Sequence, residues 1–204
     1  MKLFLSSFFS EVAELLPAFL DAGLAGGTVA FVPTAARHEK VRFYVGAARK
    51  AFQRLGFSLV EADVSADSAA HCREVLERAD VMYVSGGNTF FLLQAMRESG
   101  MDGVLRDLIR QGKPYVGESA GSVLLAPDIA YVQAMDDPRA APGLAGFRGL
   151  DLIDFHPLPH DGCPPFKKAT AFIRKEFGAT NHIVPINNSQ VILVDDGGMQ
   201  IAGV

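Results

Sequence analysis

Short apolar runs alternate with amphipathic segments through the first half of the chain, and this alternation constrains the fold more than any other feature. The predicted strands are residues 2–6, 28–32, 57–62, 80–85 and a run that ends at Val116. The predicted helices in this half are residues 11–22, 39–55, 68–79, 90–98 and 102–111, where apolar residues recur at helical spacing. Strands that alternate with helices predict right-handed crossovers and a parallel sheet with helices on both faces.

The second half of the chain is less regular. Residues 128–147 predict a long loop, Leu150–Phe155 a strand, residues 165–177 a helix and Ile183–Pro185 a short strand. Residues 191–194 and 199–204 flank Asp195-Asp196-Gly197-Gly198, which predicts a hairpin. We therefore expect a single α/β domain over residues 1–204, a three-layer doubly wound mostly parallel sheet with helices on both faces and a C-terminal β-hairpin.

Composition excludes several classes of protein. The chain has 204 residues, of which 49% are hydrophobic and 21% charged, and this balance is typical of a folded domain with a sizeable core. A net charge of -4 argues against nucleic-acid binding. No apolar stretch approaches the roughly 18 residues of a membrane span. Cys72 and Cys163 form no disulfide framework, which fits a cytoplasmic protein. We expect a monomer or homodimer.

The segment Gly117-Glu118-Ser119-Ala120-Gly121 is a G-x-S-x-G sequence between a predicted strand and a predicted helix. Such a turn exposes the serine hydroxyl on a sharp bend. The helix N-terminus that follows offers free N–H groups to a developing oxyanion. Pro33–Arg37 and Gly86–Thr89 follow two other strands, so all three segments are expected at one edge of the sheet, where ligands bind. This convergence predicts a site at Ser119.

A serine nucleophile needs a base within hydrogen-bond reach. The first candidate is His160, which follows Pro159 in a loop beyond a predicted strand, and the second is His156. The pair also suggests metal ligands with Asp161 as a third, but two intervening prolines argue against the helix that this spacing requires. Cys163 is an alternative thiol nucleophile that lacks a sharp turn. We expect neither a metal nor a cofactor.

Gly86-Gly87-Asn88-Thr89 opens a helix directly after a strand. One interpretation is phosphate binding at the helix N-terminus, although the segment lacks the full G-x-G-x-x-G spacing and the P-loop lysine. The other interpretation is an oxyanion donor, with the amide of Gly87 facing the amide of Ala120 across the reacting carbonyl. The residues alone leave both open.

Four ordered segments resemble the peptidase E (alpha-aspartyl dipeptidase) family. Residues 85–90 resemble its G-G-G-N-T-F segment, and residues 117–121 its G-x-S-A-G nucleophile turn. Leu158-Pro159-His160 resembles its P-H segment, which follows a G-L-x-L strand, here Gly149–Leu152. The likeness covers nearly the whole chain and implies a class I glutamine amidotransferase-like fold. It also implies hydrolysis of dipeptides with N-terminal aspartate; the related cyanophycinases cleave beta-aspartyl-arginine.

The resemblance implies roles for individual residues. Ser119 is the expected nucleophile, His160 the general base, and Gly87 and Ala120 the oxyanion donors. For an N-terminal aspartate in the substrate, a cation must meet the carboxylate, and arginine suits this role through its bidentate fork. The candidates for substrate binding are Arg174, Arg37, Asn88 and Thr89, of which Arg174 is the first cation and Arg37 the second.

The third triad position departs from the family pattern. Family members often carry Glu or Asp before the penultimate strand, whereas this chain has Asn187-Asn188-Ser189. By resemblance Asn188 takes that position, with Asn187 next to it, and Asp136 or Asp137 of the long loop are alternatives. A neutral amide can still orient an imidazole. The departure bears on turnover rate more than on the type of reaction.

Two other functions compete. An esterase of the α/β-hydrolase kind shares G-x-S-x-G but orders its triad as Ser, acid, His. Only His182 could then serve as base, with an acid from Asp151, Asp154 or Asp161. The second competitor is a ligand-binding protein that retains the fold without catalysis, and the neutral Asn188 favours it.

Overall fold

The computed structural model describes residues 1–24 and 26–204. Its main sheet has seven strands: β1 (Leu3–Ser6), β2 (Thr28–Val32), β3 (Ser58–Glu61), β4 (Val81–Val84), β5 (Tyr115–Glu118), β8 (Gln190–Asp195) and β9 (Gly198–Gly203). A separate two-stranded sheet consists of β6 (His156–Leu158) and β7 (Ile183–Pro185).

The strand order in the main sheet is β3-β2-β4-β5-β1-β8-β9. The first five strands of this order are parallel to one another, β8 runs antiparallel to β1, and β8 and β9 form the C-terminal hairpin. The predicted doubly wound, mostly parallel sheet and its hairpin are therefore confirmed. The carboxyl ends of β2, β4 and β5 lie side by side, since these strands are neighbours in the sheet.

Eight α-helices accompany the sheet in the described parts of the chain. They are α1 (Phe9–Val12), α2 (Leu16–Phe19), α3 (Phe43–Arg54), α4 (Ala69–Arg78), α5 (Thr89–Ser99), α6 (Met101–Arg110), α7 (Ala120–Val123) and α8 (Lys167–Phe177). None of the described helices is both long enough and apolar enough to cross a lipid bilayer.

Alternating strand residues bury on opposite faces of the sheet, because successive side chains of a strand point to opposite sides. On β1, Leu3 and Leu5 join the core on the side of α4, α5 and α6, whereas Phe4 joins the core on the side of α1, α2 and α3. All three are fully buried. A strand that is apolar on both faces is typical of a parallel sheet covered by two helical layers, as the sequence predicts.

The predicted strand at Leu150–Phe155 is wrong. The backbone amides of Gly149, Leu150 and Leu152 donate to carbonyls of residues 124–127, so this segment lies against the end of α7 rather than in a sheet. The strand starts later, at β6, which pairs with β7 in parallel. Asp151 has a φ of 55°, which no regular strand accommodates.

Two predicted helices are shorter than expected. Residues 11–22 do not form one helix, because Pro17 lies in the first turn of α2 and the chain divides into α1, a 3₁₀ turn and α2. The helix predicted over residues 39–55 begins at Phe43, since the amide of Glu39 still donates to Ala36 in the turn after β2. Neither change alters the layers of the fold.

Candidate active site

Ser119 occupies the turn between β5 and α7. Its φ of 48° and ψ of -106° are strained for a non-glycine residue. Gly117 and Gly121 allow the turn, because a Cβ on Gly117 would lie 2.8 Å from the backbone of Gly121, and one on Gly121 would lie 2.1 Å from the carbonyl oxygen of Val84. Strand and helix therefore cross at a separation that only glycine permits, and the crossing fixes the serine.

Hydrogen bonds to the end of β1 hold this turn. The Ser119 amide donates to the Ser6 carbonyl at 2.9 Å, and the Ser122 hydroxyl donates to the same oxygen at 2.8 Å. The Ser6 hydroxyl in turn donates to the Gly117 carbonyl at 2.9 Å. Both hydroxyl groups are buried, so these bonds satisfy groups that water does not reach.

His160 approaches Ser119 from a loop after β6. Its Nε2 lies 3.0 Å from the Ser119 Oγ. The backbone amide of His160 donates to the Ser7 hydroxyl at 3.0 Å, and that hydroxyl donates to the Ile186 carbonyl at 3.0 Å. Phe166 stacks on the imidazole with ring centroids 5.0 Å apart. The polar chain thus holds the backbone of His160, and the aromatic face of Phe166 holds its ring.

Asn188 completes the row of side chains. Its Oδ1 lies 2.7 Å from the His160 Nδ1, whereas the Oδ1 of Asn187 accepts from the Ser189 amide. Because an amide oxygen only accepts, Nδ1 carries the proton and Nε2 is free to accept from the Ser119 hydroxyl. Burial lowers the pKa of His160, and the bond from Asn188 acts in the opposite direction. The imidazole is therefore suited to act as a neutral base.

The alternative third residues lie elsewhere. The carboxylate of Asp136 accepts from the Thr89 amide at 2.9 Å and from the Thr89 hydroxyl at 2.5 Å. Asp137 pairs with Arg139 at 2.8 Å. The structure thus brings Asp136 to the start of α5 and Asn188 to His160. Burial raises the pKa of Asp136 to about 6.

The two predicted oxyanion donors flank Ser119. A Cβ on Gly86 would lie 3.2 Å from the Ser119 Cβ, so the loop after β4 packs directly against the serine. Gly87, next in this loop, has a φ of 137°, and a Cβ there would lie 2.1 Å from the Ala35 carbonyl oxygen. Ala120 is the first residue of α7, where an amide has no intrahelical acceptor. Donation by both amides to an oxyanion stays a prediction.

The side chains of Asn88 and Thr89 form hydrogen bonds to other groups of the protein. Asn88 caps α5 by accepting from the Phe91 amide at 2.9 Å, and its Nδ2 donates to the Asp137 carbonyl at 3.0 Å. Thr89 donates to Asp136. These contacts attach the 128–147 loop to the edge of the sheet where the strands have their carboxyl ends. Direct contact of either residue with substrate stays a prediction.

Both candidate cations already have carboxylate partners. Arg174 pairs with Asp161 at 2.9 Å, and its side chain is 57% exposed. Arg37 pairs with Asp63 and lines a cavity of about 390 Å³ that Phe91 also lines. To bind a substrate carboxylate, either arginine must leave its present carboxylate partner or pair with both carboxylates at once. Their role in aspartate binding stays a prediction.

Glu118 is a site residue that the sequence interpretation missed. It is 1% exposed, and its carboxylate accepts from the Phe9 amide at 2.9 Å and from the Tyr83 hydroxyl. Burial raises its pKa to about 7. It therefore ties the nucleophile strand to β4, which precedes the loop that carries Gly87. The available signal was an acidic residue inside an otherwise apolar strand.

The alternative bases and the alternative nucleophile make other contacts. The His156 Nε2 lies 3.1 Å from the Asn181 Nδ2, and the Cys163 thiol donates to the Asp161 carbonyl at 3.5 Å. The imidazole that contacts Ser119 belongs to His160 and not to His182, the base that the esterase order requires. Within residues 1–24 and 26–204, no three His, Cys, Asp or Glu side chains converge as metal ligands.

A family model makes the class explicit. The model described as peptidase family S51 matches residues 3–202, and the chain belongs to this family. The protein is therefore a peptidase.

The chain is similar to several individual proteins. An uncharacterized peptidase of Listeria innocua is 45% identical over 195 residues, covering 96% of this chain and 93% of that protein. Peptidase E of Haemophilus influenzae is 32% identical over 139 residues, covering 68% of this chain and 60% of that protein. A crystal structure of a peptidase E-like protein from Listeria monocytogenes superposes with a TM-score of 0.94 at 40% identity, covering 100% of this chain and 98% of that one.

Proposed function

We propose that this peptidase is a serine-type dipeptidase that hydrolyses Asp-Xaa dipeptides through an acyl-enzyme on Ser119. The observation that carries the proposal is the row Ser119–His160–Asn188, with 3.0 Å from Oγ to Nε2 and 2.7 Å from Nδ1 to Oδ1. A nucleophile on a sharp turn, a base in contact with it and a group that orients the base are the parts that acyl transfer needs.

The reaction has two stages. In the first, the Ser119 Oγ attacks the carbonyl carbon of the N-terminal residue while the His160 Nε2 takes the hydroxyl proton. The amides of Gly87 and Ala120 donate to the oxyanion that forms. The C–N bond then breaks, and His160 gives its proton to the leaving amine. In the second stage, His160 takes a proton from water as the water oxygen attacks the acyl carbon. His160 then returns that proton to the Ser119 Oγ as the bond between Oγ and the acyl carbon breaks.

Asn188 orients the imidazole and fixes its tautomer in this scheme. Because the amide is neutral, it stabilises the imidazolium that forms in each stage less than a carboxylate does. We therefore expect a lower turnover number than a Ser-His-Glu arrangement on the same scaffold gives, with the same type of reaction.

Aspartate specificity rests on the relatives and on the two arginines. One relative, from Drosophila melanogaster, is named "Probable alpha-aspartyl dipeptidase" and is 36% identical over 135 residues, covering 65% of this chain and 52% of that protein. Arg174 and Arg37 are the cations that we propose for the substrate carboxylate. We place the reaction in the cytoplasm, which fits the free thiols of Cys72 and Cys163.

The test is a dipeptide panel of Asp-Leu, Glu-Leu, Ala-Leu and beta-Asp-Arg with the wild type, Ser119→Ala and the exposed control Ser58→Ala. We expect cleavage of Asp-Leu by the wild type and the control, and a loss of several orders of magnitude in kcat for Ser119→Ala. Cleavage of beta-Asp-Arg alone would instead indicate a cyanophycinase-like peptidase. Residual activity within about tenfold of wild type in Ser119→Ala contradicts the serine mechanism.

The cation assignment has its own test. Arg174→Ala or Arg37→Ala should raise KM for Asp-Leu, because the lost guanidinium leaves the substrate carboxylate unpaired. Arg78→Ala, an exposed residue of α4, is the matched control and should leave KM unchanged. If neither variant raises KM, neither arginine binds the aspartate side chain.

A further inference from the structure

A pair of aromatic rings lies in an exposed position at the catalytic edge of the sheet. Phe43, the first residue of α3, is 69% exposed, and Phe8, which precedes α1, is half-buried. Their ring centroids are 5.9 Å apart with an interplanar angle of 80°. The next residue, Phe9, is fully buried in the core. Exposed aromatic surface forgoes the stabilisation that burial gives, so a ligand that covers these rings would gain it.

The backbone of Phe8 is fixed on both sides by the active site. The preceding residue, Ser7, accepts the hydrogen bond from the His160 amide at 3.0 Å. The following residue, Phe9, donates its amide to the Glu118 carboxylate at 2.9 Å. Phe8 therefore lies between the segment that holds the base and the segment that carries the nucleophile.

Phe43 connects to the site by a second route. Its ring centroid is 6.0 Å from that of Tyr44. The Tyr44 ring and the Ser119 Cβ lie 3.6 Å and 3.2 Å from the position that a Cβ on Gly86 would take. The rings of Tyr44, Phe43 and Phe8 thus form a continuous row that starts beside Gly86, the residue that packs against Ser119.

The direction of the reaction decides which part of a substrate meets this row. In the proposed mechanism the His160 Nε2 protonates the leaving amine, so the second residue of the dipeptide must lie on the imidazole side of Ser119. Phe166 stacks on one face of that imidazole, and Phe8 follows the serine that binds the His160 amide. The ring of Phe166 and the backbone of Phe8 therefore lie beside His160, on the side of the leaving residue.

We propose that Phe8 and Phe43 form an apolar subsite for the side chain of the second residue of the dipeptide. The peptidase then prefers Asp-Xaa substrates in which Xaa is aromatic or large and aliphatic. This inference rests on the proposed function and extends it to the residue after the aspartate.

The test compares kcat/KM for Asp-Phe, Asp-Leu, Asp-Glu and Asp-Gly. For the wild type we expect Asp-Phe and Asp-Leu to exceed Asp-Gly by about tenfold or more, since an apolar pocket discriminates by that order per filled side chain. Phe43→Ala and Phe8→Ala should reduce this ratio by about threefold or more. Phe172→Ala, which removes a ring that is 51% exposed on α8, is the matched control and should keep the ratio.

A charged replacement separates binding from structure. Phe43→Lys should raise kcat/KM for Asp-Glu relative to Asp-Phe, because the ammonium pairs with the second carboxylate. A purely structural role for Phe43 gives no such reversal. Since Phe43 is exposed, its variants should fold, and circular dichroism with a thermal melt checks this.

Two outcomes overturn the inference alone. One is a wild-type ratio of Asp-Phe to Asp-Gly within about twofold, or a ratio that Phe43→Ala and Phe8→Ala both retain. The other is a change in sedimentation of Phe43→Ala with an unchanged ratio, which assigns the ring to a contact between two copies of the chain. If the wild type cleaves no Asp-Xaa dipeptide, the proposed function fails and this inference fails with it.

Discussion

Ser119 and His160 are in contact, but different kinds of structure hold them. Ser119 follows β5, which lies between β4 and β1 in the middle of the sheet, and glycines at both ends of its turn let backbone meet backbone. His160 lies in a loop after a three-residue strand of the small second sheet. Its attachments are the polar bond to Ser7, the bond to Asn188 and the ring of Phe166.

This contrast separates two kinds of sensitivity. Substitutions around Ser119 disturb close contacts in the core, so they should cost stability as well as activity. Substitutions around His160 remove polar contacts of a partly exposed loop, so they should change catalysis and its pH dependence with a smaller cost in stability. Variants on each side of the site test this division.

His160→Ala should lower kcat for Asp-Leu by about 10⁴-fold or more, because the serine loses the general base that contacts its hydroxyl. The free energy of unfolding should change by about 1 kcal/mol. Steady-state kinetics and urea unfolding measure the two effects. His182→Ala is the matched control, since this exposed imidazole would be essential only if the esterase order were correct.

Gly121→Ala should reduce the free energy of unfolding by about 3 kcal/mol, since its new Cβ would lie 2.1 Å from the Val84 carbonyl oxygen. The control is Gly103→Ala in α6, where a Cβ meets nothing within 4 Å. That change should stabilise the helix by up to about 1 kcal/mol. Equal effects of the two variants would mean that the close crossing at Ser119 does not exist.

Asn188→Asp should raise the pKa of His160, because a carboxylate beside the imidazole favours its charged form. His160 must be neutral to accept the serine proton, so the acid limb of the kcat/KM profile should move to higher pH by about one unit or more. Asn187→Asp places the same charge on the neighbouring exposed residue and should shift the limb much less. An equal shift of the acid limb in both variants would show that Asn188 does not contact His160 more directly than Asn187 does.

Glu118→Gln tests the nucleophile side through stability. The pKa of Glu118 is raised from 4.5 to about 7 by burial, so the folded protein binds this proton more tightly than the unfolded chain. The group therefore stabilises the fold at low pH, and this contribution is lost as pH rises through about 7. Between about pH 5 and about pH 8, the free energy of unfolding in urea should decrease less for Glu118→Gln than for wild type. Glu14→Gln, an exposed carboxylate of the same chain, should behave as wild type.

The sequence predicts the nucleophile side of the molecule better than the base side. The strands of the first half have strong apolar patterns. The turn at Gly117–Gly121 requires small residues because the backbone is crowded there, and these residues are visible in the sequence. Leu150–Phe155 shows the limit, because its apolar run packs against the end of α7 and its amides find carbonyl partners there instead of a sheet. Hydrophobic periodicity predicts which residues of a segment are buried, but it does not predict which element they pack against.

The candidate site was predictable where resemblance and geometry point to the same residues. Ser119, His160 and Asn188, the residues that the resemblance assigns to the triad, lie in one hydrogen-bonded row, although an asparagine departs from the acidic third residue of the family. Glu118 was missed because its partners, Phe9 and Tyr83, lie on two other segments of the chain. A buried carboxylate with distant backbone donors has no local sequence signature, and only the assembled sheet edge shows what it binds.

Labelling of Ser119 with a fluorophosphonate is the measurement that we would make first. We expect about one label per chain, located on the peptide that contains Ser119, with loss of Asp-Leu hydrolysis in proportion to labelling. His160→Ala should label far more slowly, because the hydroxyl is no longer activated. Two results would contradict an acyl-enzyme on this serine. One is Asp-Leu hydrolysis that persists in fully labelled protein, and the other is an unchanged rate of Asp-Leu hydrolysis in Ser119→Ala.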